Sequence, residues 1–190
     1  MNWKEWLRLL ILPTQFINDE LPKAGLIYEV GSGIGVIAFE LAKKSHRRTV
    51  IGLDTDSQKV QKAKSEFKLA NLSYKIGDAL VFHYSPCVGV VMSDFLHHLP
   101  YHIQDLVLKR VTQKLKKSGV LVVKEIARDD YIFMLFSRMW DYLLYPEDQI
   151  YYRSRGMWRK ILQDLGYRVS VTRKVHWFPG STHLFVCRKI

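Results

Sequence analysis

The chain has 190 residues, 48% hydrophobic and 13% aromatic, which suits one packed domain and excludes a disordered or low-complexity polymer. Cys87 and Cys187 are too few and too far apart for a disulfide framework or a zinc site, so no metal is expected and a reducing cytoplasm is the expected setting. The formal charge of +11 is concentrated late, with nine Lys/Arg against the single acid Asp164 in residues 151–190; an anionic partner, nucleic acid or lipid, competes with plain solubility as its explanation.

The opening Met1-Asn-Trp-Lys-Glu-Trp lacks the basic region of a signal peptide, and the apolar run 7–12 is too short to cross a membrane. Trp3, Trp6, Leu7, Leu10 and Ile11 fall on one face of a helix. A lid, a membrane-surface contact and an ordinary core helix all fit that pattern, and residues 1–21 are set apart as an N-terminal lid or packing segment.

From residue 26 the chain alternates. Residues 26–30 form an apolar run that meets a glycine cluster, followed by the helical spacing of Ile37, Phe39, Leu41 and Ala42. Residues 49–53 repeat the strand signal, and Asp56-Ser57 caps a helix expected to reach about Ala70. Residues 72–76, 88–92 and 119–126 read as strands, with a helix over 103–117 before the last. The unbroken hydrophobic runs at 88–92 and 120–123 are those of strands covered on both faces of a parallel sheet. A helix over 151–165 ended by Gly166, then strands over 167–176 and 182–188 joined through Phe178-Pro179-Gly180-Ser181, complete the reading.

The chemistry gathers at strand ends. Glu29-Val30-Gly31-Ser32-Gly33-Ile34-Gly35 lies where a strand hands over to a helix, and glycines there let the backbone turn tightly against a ligand. Dinucleotide oxidoreductases also use such a turn, but their Gly-x-Gly-x-x-Gly would need a glycine where Val36 stands. An acid two residues before the first glycine suits a cationic amine better than a pyrophosphate. Asp54 closes the second strand, where a carboxylate accepts both hydroxyls of a ribose, and Asp78 follows the third, where it accepts an exocyclic amine.

With these residues in place the chain resembles a class I S-adenosylmethionine-dependent methyltransferase. The resemblance implies a Rossmann-like, doubly wound α/β fold: a mostly parallel seven-stranded sheet of order 3-2-1-4-5-7-6, its terminal strand antiparallel, with helices on both faces. It assigns Glu29, Gly31, Gly33 and Gly35 to the methionine end of S-adenosyl-L-methionine, Asp54 to the ribose and Asp78 to the adenine amine; the neighbouring Ser32, Thr55, Ala79 and Ser93 join the cofactor set. Ser93-Asp94-Phe95-Leu96-His97-His98-Leu99-Pro100 resembles a segment common in the small-molecule and lipid branch, and Leu115-Lys-Lys-Ser-Gly119 resembles the turn before strand five, with Ser118 in the place of a usual glycine.

The acceptor is expected beyond the carboxyl ends of the strands, near Asp94, His97, Glu125 and Arg128, with His176 and His183 brought to the same edge by the terminal hairpin. The expected base is His97, with Asp94 or His183 in support and His98 pointing elsewhere; the alternative for His97 is a scaffold beneath the cofactor. Residues 127–152, rich in aromatics and methionine, are the expected acceptor-lid insertion of a single domain 1–190, although a helix packed on the sheet would show similar residues. No Asn-Pro-Pro-Tyr segment follows strand four, and Cys87 reads as structural. The leading function is methylation of a small-molecule or lipid-like acceptor, with an anionic membrane surface as a further partner. The alternatives are an RNA methyltransferase, with Trp158 and Trp177 stacking on bases, and a silent cofactor-binding interaction domain.

Overall fold

The computed structural model describes residues 13–129, 131–144, 149–172 and 182–190. The apolar face of Trp3 to Ile11, His176, Trp177 and the turn 178–181 lie outside the described residues. Seven strands form one sheet of order β3-β2-β1-β4-β5-β7-β6: β1 (Gly25–Val30), β2 (Arg48–Asp54), β3 (Leu72–Ile76), β4 (Cys87–Ser93), β5 (Leu115–Ile126), β6 (Tyr167–Thr172) and β7 (Thr182–Lys189). β1 to β5 pair in parallel, and β7 runs antiparallel to both β5 and β6. The sheet is the Rossmann-like arrangement that the resemblance implies.

Helices α1 (Thr14–Glu20), α2 (Val36–Lys44) and α3 (Ser57–Glu66) cover one face, where Ile17, Ile37, Leu41 and Val60 pack on Ile27, Val50, Val91 and Val122. Helices α4 (Tyr101–Lys114) and α6 (Arg155–Asp164) cover the other, where Val107, Leu108, Trp158 and Leu162 meet Tyr28, Val90, Leu121 and Phe185. Burial on both faces explains the continuous apolar runs of β4 and β5. Helix α5 (Tyr131–Leu144) follows β5. Cys87 and Cys187 are buried core thiols, and burial pushes Cys87 up to about 11.

Three helix boundaries differ from expectation, two of them because tertiary hydrogen bonds outweigh propensity and one because the next strand starts early. α3 stops at Glu66, short of Ala70: the Asn71 side chain must reach the carbonyls of Ala42, Ser45 and Arg48 at the foot of the sheet, and Phe67 turns out to stack on Phe39 with ring centroids 4.7 Å apart. α4 ends at Lys114, short of Lys117, and β5 begins at once. Residues 116–119 bulge there, with Ser118 at φ +63°, the backbone state for which a glycine is the usual residue. α6 begins at Arg155, not Tyr151, with Ser154 as its cap. The Tyr151 N–H instead donates to the His97 carbonyl at 2.8 Å, Gln104 donates to the Tyr151 carbonyl, and the buried Arg153 binds Gln104 and the Tyr101 carbonyl.

Candidate active site

The turn after β1 is held from below. The N–H groups of Gly31 and Ser32 donate to the Leu53 carbonyl at 2.8 and 2.9 Å. Gly31 (φ +75°) has no room for a side chain, since a Cβ there would lie 2.4 Å from Phe95 Cδ2. Gly33 (φ +53°) is the opposite case: a Cβ there would meet nothing within 4 Å, so this part of the backbone faces open space. Gly35 caps α2, and its carbonyl accepts the Tyr74 hydroxyl at 2.7 Å.

Three acids surround that space. Glu29 is 3% exposed, and its Oε2 accepts the Ala38 N–H at 2.7 Å, in the first turn of α2. Burial pushes its carboxyl up to about 8; the Ala38 bond opposes the rise and the charge of Asp54 adds to it. Asp54 accepts the N–H of Gly33 at 2.7 Å and of Asp56 at 2.9 Å, joining the glycine turn to the start of α3. Asp56 caps α3 by accepting the Gln58 and Lys59 N–H groups, and these bonds hold its carboxyl below the usual carboxylate range. Asp78 accepts the Leu80 N–H at 2.7 Å.

Beyond the carboxyl ends of the strands lies a cavity of about 510 Å³, within the range of small-molecule sites. Glu29, Gly31, Ser32, Gly33, Asp54, Thr55, Asp78, Ala79 and Ser93 all line it; Gly35 shapes the turn from beneath. Asp94, Phe95, His98, Leu99, Ile103 and Val107 form its other side.

The turn after β4 is fastened by a single carboxylate. Glu125 is fully buried in β5; its Oε1 accepts the N–H groups of Phe95 (3.1 Å) and Leu96 (2.7 Å), and its Oε2 lies 2.6 Å from His97 Nδ1. His97 is 1% exposed, and neither it nor His183, which stands opposite Glu125 in the β5–β7 register, lines the cavity. The two histidines therefore face opposite ways from the arrangement expected from sequence: His97 turns toward Glu125, and His98 turns toward the cavity. Asp94 does line the cavity, at φ +51°, and its Oδ2 pairs with Lys124 Nζ at 2.5 Å. Sequence reading passed over Lys124 and the fastening role of Glu125. The signal available was an adjacent cation and acid closing the otherwise apolar run of β5.

The comparisons with known proteins agree with this geometry. A family model described as a methyltransferase domain matches residues 27–119, the segment that carries the glycine turn and the three acids. An S-adenosylmethionine-dependent methyltransferase from Methanosarcina mazei is 19% identical, with a TM-score of 0.72 over 94% of this chain and 98% of its own. Another, from Mesorhizobium loti, is 15% identical, with a TM-score of 0.76 over 92% and 96%. Human N-acetylserotonin methyltransferase, solved with S-adenosylmethionine, is 17% identical, with a TM-score of 0.73 over 95% of this chain and 51% of its own. No curated sequence matches the chain. Sheet order, site and domain match agree with one another: each is that of an α/β fold whose solved examples use S-adenosylmethionine. The chain therefore has the fold of the class I S-adenosylmethionine-dependent methyltransferases and matches a methyltransferase domain over residues 27–119.

The residues present fit that cofactor. Glu29 is a buried carboxyl that lacks a cation among the described residues and whose charged form an ammonium would favour, the open face over Gly33 leaves room for a ligand against the backbone, and Asp54 and Asp78 stand at the ends of the neighbouring strands.

Proposed function

We propose that the chain methylates a small, lipid-like acceptor seated beside the turn 93–99. The observation that carries this reading is the charge of the cavity lining. Among the described residues it includes, besides the largely protonated Glu29, the acids Asp54, Asp56, Asp78 and Asp94 against one lysine, Lys59, while its acceptor side is formed by Phe95, Leu99, Ile103 and Val107. That lining favours a cationic donor and an uncharged, apolar acceptor, and it repels a polyanion. Glu29 with the glycine turn would hold the methionine end, Asp54 the ribose and Asp78 the adenine amine. When bound, the sulfonium supplies an electrophilic methyl group. The protein's work is alignment, exclusion of water and removal of any acceptor proton. In this reading His98, with Asp94 beside it, receives that proton, because imidazole ordinarily titrates near neutral pH. His97 and Glu125 fix the turn that carries both, and His183 backs them from β7.

The RNA reading loses its support from Trp158, which is fully buried and so cannot stack on a base. The basic tally of residues 151–190 also divides: Arg153 is 4% exposed, Lys189 donates to the carbonyls of Thr112 and Leu115, and Arg188 pairs with Glu20. Incubation with methyl-labelled S-adenosylmethionine and, in turn, a lipid extract, a water-soluble metabolite extract and total RNA tests the proposal. Label should enter the organic phase or an apolar small molecule. Label in RNA alone would replace this reading with the other.

A further inference from the structure

Helix α5 turns an apolar face to water. At about 100° per residue its exposed apolar positions occupy an arc of roughly 140°: Ile132, Leu135, Phe136, Met139 and Leu143 lie between 42% and 67% exposed. Tyr131 at 67% and Tyr142 at 72% belong to the same arc, whereas Ser137, on the opposite side of the helix, is 6% exposed. No other described strand or helix packs extensively on α5.

We propose that α5 is a docking helix that lies in the plane of an anionic lipid surface with this face among the acyl chains. At 14 residues it is about 21 Å long, too short for the roughly 30 Å hydrocarbon core, and no described helix is long and apolar enough to cross a membrane. A surface-lying helix needs an apolar face about half an acyl layer deep and cations at its border. Arg138 is exposed at the edge of the arc. Arg128 adds another: it is exposed, and its Nη2 lies 3.5 Å from Met157 Sδ in the first turn of α6, which sets it beside the entry to α5, whereas the neighbouring Arg155 pairs with Asp129. Charge selects among possible occupants. With a net charge of +11 two copies repel one another at this face, whereas a surface of anionic headgroups attracts it. The aliphatic arc has nothing to offer an RNA backbone. α5 also begins where β5 ends, at the same carboxyl edge of the sheet as the cavity, so docking there brings the cavity to the lipid.

This inference rests on the lipid-like acceptor only for its purpose, not for its observation, and the test therefore reads binding and not turnover. The full chain is floated with phosphatidylcholine vesicles, with and without about a third phosphatidylglycerol, across a salt series. It should float with the anionic vesicles, less so as salt rises, and weakly with the neutral ones. Leu135→Ser with Met139→Ser should lower partitioning about tenfold or more with melting temperature and S-adenosylmethionine affinity unchanged, because both residues are exposed, and Arg138→Glu should weaken only the salt-sensitive part. A chain that floats but transfers no methyl group to lipid upholds the docking face and removes the lipid-like acceptor. A chain that floats with neither vesicle, or a double variant that floats as the parent does, overturns the proposal. So does a dimer that the double variant dissolves, or RNA binding that it abolishes, since either gives the face another occupant.

Discussion

Glu29 and Ala38 meet across the first turn of the fold, the buried carboxyl of one accepting the backbone N–H of the other at 2.7 Å. The acid thus caps α2 from β1 while its second oxygen remains for a ligand. Because burial holds Glu29 near 8, the free chain carries it mostly protonated at pH 7. An ammonium placed against it favours the charged form, so cofactor binding should expel a proton. Titration calorimetry at pH 7 in buffers of different ionisation enthalpy should show release approaching one proton, falling away above about pH 9. Glu29→Gln should abolish the release and weaken binding. The same group acts on stability in a definite direction. Between its ordinary value of 4.5 and about 8 the folded chain binds more protons than the unfolded one, so its contribution declines as pH rises through that window. Glu29→Gln should therefore gain on the parent between pH 5 and 8, by at least about 1 kcal/mol or roughly 2–4 °C in Tm.

Gly31 and Gly33 separate packing from ligand space. Gly31→Ala drives a methyl group into Phe95 and should cost on the order of 2–4 kcal/mol of stability. Gly33→Ala meets open space and should cost only about 1 kcal/mol of backbone strain, yet lower cofactor affinity about tenfold or more, because the methyl group enters the cradle. Equal affinities for Gly33→Ala and the parent in calorimetry would place the cofactor elsewhere.

Asp94 and Lys124 form an unequal pair, with side chains 26% and 4% exposed. Removing either takes the opposite charge from the other, and the cost follows the burial of the survivor. Asp94→Asn leaves a nearly enclosed ammonium, whereas Lys124→Met leaves a carboxylate that water reaches. Urea denaturation should show the first to be the more damaging by about 1–2 kcal/mol. The reverse order would mean that the pair contributes through something other than its charges.

The two histidines should divide stability from rate. His97→Ala removes a donor from a buried carboxylate and should lower stability by about 2–3 kcal/mol, with turnover of the folded fraction retained. His98→Ala should leave the melt nearly unchanged and slow transfer by about 10²–10⁴-fold. A folded His97→Ala variant that binds cofactor but has lost transfer would restore the role to His97.

The parts of the site legible in sequence are those in which a residue's job is done by its own backbone neighbourhood. The glycines at 31, 33 and 35 and the acids at 29, 54 and 78 belong to strand ends, and a strand end is visible wherever an apolar run stops. What sequence left hidden depends on partners far along the chain. Lys124 and Asp94 are 30 residues apart, and the end of α3 is set by an Asn71 side chain binding carbonyls 23 to 29 residues earlier. His97 and His98 are adjacent in a single 3₁₀ turn, Leu96–His98; which one looks into the cavity is decided by Glu125 on another strand, and no local pattern carries that information.

The ring of Phe95 fills the place where Gly31 would carry a side chain. The turn after β1 and the turn after β4 are therefore in direct contact, with Glu125 anchoring the second from behind. On the proposed binding mode, a ligand held by one loop should be felt by the other. Linkage then requires reciprocity: the factor by which bound donor tightens the acceptor equals the factor by which bound acceptor tightens the donor. The demethylated product, which has lost the sulfonium charge, occupies the same cradle with a different grip. If donor and acceptor bind as proposed, release of the methylated acceptor and of the spent cofactor should be coupled through a single aromatic ring.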